Sequence, residues 1–99
     1  MESEKNSTST SSSYLKEALI KDGYEPGLVK VLKDSECSFI IYNVATKAQL
    51  DPVNFNISEF EVFRKKDLKI YFKYKPLGMM NRCNEASPVE LLSVVERQN

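Results

Sequence analysis

The chain has 99 residues, enough for one small domain, and its 14 basic and 14 acidic side chains cancel. It contains no histidine and no tryptophan, which removes the commonest general base and the commonest zinc ligand, and its neutral balance supplies no global attraction to nucleic acid or membrane. No apolar run approaches the ~18 residues that span a bilayer, and a chain this short buries only a limited core.

Residues 1–13, MESEKNSTSTSSS, are polar and Ser/Thr-rich, without the apolar stretch of a signal peptide. They read as a disordered leader, or as a tether left after an export signal is removed, because such a composition buries too little to order itself. Residues 14–99 read as a single domain. SYLKEALIKDG reads either as a short helix capped by Ser13 and stopped by Gly23, or as a lead-in strand. Glu25-Pro26-Gly27 is a turn signal. Leu28 to Lys33 and Cys37 to Val44 form a hairpin around the polar loop Asp34-Ser35-Glu36. In its second strand Phe39 and Ile41 share one face with Cys37, and Ile40 and Tyr42 take the other. A strand apolar on both faces is central, or is covered on its outer side.

Leu50-Asp51-Pro52-Val53 reads as a turn, with Pro52 marking a strand start or an edge. Phe60 and Phe63 have the spacing of a short helical turn. LKIYFKY then alternates cleanly: Leu68, Ile70, Phe72 and Tyr74 take a core face, and Lys69, Tyr71, Lys73 and Lys75 a solvated face on which lysine stems can cover Tyr71. Pro76 and Gly78 end that strand, and MMNRCNEAS is a loop. In SPVELLSVVE the capping-box pattern Ser87-Pro88-Val89-Glu90 favours helix, whereas Val89, Val94 and Val95 favour strand. A last strand would remove an exposed sheet edge, so residues 88–97 are read as strand, with helix as the alternative. The sum is a mainly β protein, a small five- or six-stranded barrel of OB or SH3 type, with room for one short N-terminal helix.

The order GLVKV, SECSFII, LDPVNF, FRKKDLKIYFKYKPL, RC, SPVELLSVVE over residues 27–96 resembles a group of small exported proteins of Bacteroidetes-type bacteria with no characterised activity. The resemblance implies a small β-barrel, often tethered outside the cytoplasm, with its cysteines at Cys37 and Cys83. The chain departs from that group by lacking its usual glycine after Asp67 and by showing no export signal.

Three constellations can carry function. Cys37 and Cys83 can form a disulfide between the hairpin and the late loop, serve as half a metal site, or remain two buried thiols in a reducing compartment. With no Cys-x-x-Cys and no histidine the metal set is the weakest of these. A disulfide closing about 45 residues would stabilise by roughly 3 to 4 kcal/mol in the chain-entropy model. Arg64, Lys65, Lys66, Lys69, Lys73 and Lys75, with Tyr71 among them, form a basic, aromatic contact surface of the kind that tracks single-stranded nucleic acid, or simply a solvated strand face. The neutral whole chain favours the second. The carboxylates Glu59, Glu61, Glu85 and Glu90 show no acid–base pairing, and the serines have no histidine partner.

These observations point to a non-enzymatic binding or accessory module without cofactor or metal, its partner a protein or small ligand. Its expected place is the periplasm or the cell surface, as a lipoprotein. The alternative is a cytoplasmic, OB-like single-strand-binding protein that uses residues 64–75.

Overall fold

The structure, a computed structural model, describes residues 16–97; the leader at 1–13 lies outside the described residues. A short helix, α1 (16–21), is followed by β1 (Glu25–Val31), β2 (Phe39–Asn43), β3 (Gln49–Pro52), α2 (Ser58–Glu61), β4 (Lys69–Pro76) and β5 (Ser87–Glu96). From residue 16 on, the helical reading of the first segment is the one realised, while its cap at Ser13 lies outside the described residues; Gly23, at φ +94°, ends the helix in a conformation that glycine adopts without strain. The last segment is a strand of ten residues.

The five strands close into a barrel in the order β1-β2-β3-β5-β4. β1 pairs antiparallel with both β2 and β4, β3 runs parallel to β5, and α2 lies in the β3–β4 connection. This is the connectivity of the OB type of barrel. Closure gives every strand two neighbours and leaves no edge, which answers the edge problem that favoured a final strand.

Inside the barrel, Val29, Ile41, Leu50, Ile70, Phe72, Val89 and Leu91 form the core, joined by Phe55 and by Phe60 of α2. Leu68 and Tyr74 pack against it, so the core face of β4 is the expected one, whereas Tyr71 on the opposite face is buried as well. Strict alternation fails in β5. Lys73 pairs with Ser93 but Tyr74 pairs with Leu91, so Leu92 is an extra residue. The bulge restores the inward phase, allowing Val89, Leu91 and Val94 all to meet the core. The Asn54 side chain supports this place, accepting from the Leu91 N–H at 2.8 Å and donating to its carbonyl at 3.0 Å.

Two expected turns are strand instead. Glu25-Pro26-Gly27 opens β1 and pairs with Phe72, Tyr71 and Ile70. Proline's fixed φ suits extended backbone at a strand start, and Gly27 serves close packing here rather than a turn. Leu50-Asp51-Pro52 is β3, with Pro52 its last residue, opposite Val89. The β2–β3 connection is made instead by buried Asn43, whose side-chain oxygen accepts from the N–H groups of Ala45 and Thr46, with Lys47 in the left-handed region.

Candidate functional site

Cys37 precedes the first residue of β2, so period-two counting does not reach it. It lies not on the Ile41 face but with Ile40, Cys83 and Ala86, with Leu32 alongside, in a second small cluster outside the barrel wall. This explains why β2 is apolar on both faces: one faces the barrel core and the other this cluster. Cys37 and Cys83 are joined as a disulfide with Cα atoms 5.8 Å apart, linking the β1–β2 loop to the β4–β5 loop.

The same short segment is tied at three further points. Arg82 donates from Nε and Nη2 to the two oxygens of Asp51 at 2.8 and 2.7 Å. Ser35 donates to Glu85 at 3.0 Å, and the Gln49 side chain donates to the Glu85 carbonyl at 3.1 Å. Asp51 is 0% exposed in β3, whereas the Arg82 side chain is 45% exposed. The hydrogen bond to Asp51 holds the Arg82 guanidinium protonated beyond its already high ordinary range. The signal for this pair was a carboxylate set between Leu50 and Pro52-Val53, which in a strand must be buried and therefore partnered. Reading that stretch as a turn hid it.

Arg82→Ala is expected to destabilise the fold by about 2 to 3 kcal/mol. This is below the ~3–5 kcal/mol of a wholly buried pair because water can reach the space the arginine leaves. Arg82→Lys should recover only part of the loss, since an ammonium cannot fork across both oxygens. Urea denaturation of the three proteins checks this, and equal midpoints for arginine and alanine would refute it.

The basic residues of 64–75 do not form one open face. Arg64 lies over the Phe39 ring, 4.6 Å from its centre. Lys65 and Lys66 are exposed in the α2–β4 connection, and Lys69 is exposed at the start of β4. Tyr71 is only 7% exposed, with the Arg97 guanidinium 5.7 Å from its ring centre. Lys73 sits over the Tyr24 ring at 5.3 Å and pairs with Asp22 at 3.8 Å, while Lys75 pairs with Glu90 at 3.4 Å. Tyr74 points inward, stacked on Phe72 at 5.0 Å and within 3.4 Å of the Asn43 amide nitrogen. Neither tyrosine presents a free ring on which a base could stack.

A recess of about 170 Å³ gathers residues from four connections. Glu36 and Ser38 come from the β1–β2 loop, Val53, Phe55 and Asn56 from the segment after β3, Arg64 from the α2–β4 connection and Arg82 from the β4–β5 loop; Phe39 and Pro52 complete it. Phe39 and Phe55 meet edge to face at 6.3 Å. The disulfide joins two of the four connections at neighbouring residues. The recess sets two guanidinium groups and one carboxylate beside the edge-to-face pair of Phe39 and Phe55. Of these residues the sequence singled out only Arg64, and for a different surface.

No protein-family model, curated protein or solved structure matches the chain.

Proposed function

We propose that this chain is a non-catalytic binding or accessory module that works outside the cytoplasm, free in the periplasm or tethered at the cell surface as a lipoprotein. The observation that carries this reading is the Cys37–Cys83 bond, which ties together two loops bordering the recess. A disulfide persists where the environment is oxidising, and a small domain that cannot build a large core has the most use for one. The resemblance of residues 27–96 to exported bacterial barrels supports the same compartment. Catalysis is left out because the chain has no histidine and both cysteine sulfurs are used in the cross-link.

The competing reading is a cytoplasmic single-strand-binding barrel, supported by the OB-type strand order and the basic run 64–75. The buried Tyr71, the inward Tyr74 and the acidic partners of Lys73 and Lys75 weigh against it.

Two measurements separate these readings. Alkylation and mass spectrometry of protein taken from its natural compartment should find no free thiol, and two free thiols would remove the extracytoplasmic reading. Titration with a single-stranded oligonucleotide at low and moderate salt should give no salt-sensitive binding. Tight binding that weakens steeply with salt and disappears in a Lys69/Lys73 charge reversal would favour the competing reading.

A further inference from the structure

The recess has a chemical character of its own. Arg82 uses Nε and Nη2 on Asp51, so its charge is balanced and its geometry fixed, leaving Nη1 outside that fork. Arg64 has no carboxylate partner among the described residues. Its guanidinium rests on Phe39, and its Nε is buried without a hydrogen-bond acceptor. That Nε is closed to solvent and so to any ligand, and the Nη groups are the donors that Arg64 has to offer. Glu36, at the same recess, sets a limit in the other direction, because a dianion would meet a like charge there.

We propose that the recess binds the carboxylate of a small monoanion carrying an apolar stem. Arg64 and the free side of Arg82 hold the carboxylate, and Phe39 and Phe55 carry the stem. The recess is open to solvent, and its volume of about 170 Å³ has room for a group of about one ring. It therefore suits one ring-sized stem, and it is smaller than the ~300 Å³ at which pockets for larger ligands begin. Planar guanidinium groups are matched to carboxylates and stack on aromatic rings, the geometry seen at Arg64. The acid can be a free metabolite or the C-terminus of a peptide, which present the same chemistry.

This inference rests on the reading of the domain as a binding module, yet it fails separately from it. Free thiols in the natural compartment would remove the export claim and leave the recess untouched. The test is a titration of the ¹⁵N-labelled full chain, disulfide intact, with 3-phenylpropionate, its neutral amide, N-acetyl-phenylalanine as a peptide-terminus mimic, and inorganic phosphate.

The acids should move the amide signals of Ser38, Phe39, Phe55 and Asn56, with dissociation constants on the order of millimolar. The neutral amide and phosphate should bind at least ~10-fold more weakly. Arg64→Gln should weaken the acids by ~10-fold or more while leaving the rest of the spectrum in place, and Glu36→Gln should not weaken them. N-acetyl-phenylalanine binding more tightly than 3-phenylpropionate assigns the peptide source, and the reverse order the free acid. Amide and acid binding equally, or no movement of these signals up to the solubility limit, overturns the proposal.

Discussion

Breaking the Cys37–Cys83 bond is expected to lower the stability of the protein by roughly 3 to 4 kcal/mol, and its thermal midpoint by about 12 to 30 °C. The cross-link spans 46 positions, so its loss returns a large loop entropy to the unfolded chain. Few other groups hold the joined loops. Among the described residues the surrounding cluster contains only Ile40 and Ala86 besides the two cysteines, with Leu32 packed against it. The Ser35–Glu85 hydrogen bond is solvent-exposed and worth little alone. Arg82, one residue before Cys83, depends on the same loop position to reach Asp51, so losses at the two sites should not add. Thermal unfolding with and without reductant, and of a Cys37→Ala/Cys83→Ala protein, measures the effect. Alanine is the appropriate replacement because serine would bury a hydroxyl in an apolar cluster. A midpoint unchanged by reduction would show that the remaining ties suffice.

Phe72→Ala is expected to destabilise by about 3 to 5 kcal/mol, a large fraction of what a domain of this size possesses. Phe72 is fully buried, pairs across the barrel wall with Glu25 and Val94, and stacks on Tyr74. Its ring also occupies the space that Gly27 leaves open. A Cβ at residue 27 would lie 2.6 Å from the Phe72 ring and 2.8 Å from the Ile41 side chain, both fully buried. Gly27→Ala alone should therefore cost about 1 to 3 kcal/mol by overpacking. Combined with Phe72→Leu, whose smaller side chain gives room, the alanine should be tolerated better than in the parent. A double-mutant cycle in urea reads this coupling. Strict additivity would show that the backbone, rather than the ring, absorbs the contact.

The strand that reads most clearly in the sequence is β4, because period-two alternation survives wherever one face meets a core and the other meets solvent. β2 was legible as apolar on both faces, though not the reason, since the second cluster is built from loops distant in sequence. Proline and glycine misled at Glu25-Pro26-Gly27 and Leu50-Asp51-Pro52-Val53. Their turn tendency reflects allowed backbone angles, and extended backbone is also among those proline permits. The bulge at Leu92 had no local signal, because it depends on registering β5 against β4 and on the Asn54 amide that supports it. At the recess, Arg64 could be named from its charge, but not its seat on Phe39 or its neighbour Arg82.

Composition and periodicity pointed on their own to a small β protein without histidine chemistry, and left the last segment open between strand and helix. They also identified the two cysteines as the main candidates for a cross-link. Those conclusions rest on local properties, namely which residues can be buried, which backbone angles they favour, and which acids and bases are present. The pairing of Asp51 with Arg82, the placing of Arg97 beside Tyr71, and the gathering of Arg64, Arg82, Phe39 and Phe55 around one recess were decided by the tertiary structure. Each depends on barrel closure bringing together residues far apart along the chain, and no local preference encodes that distance.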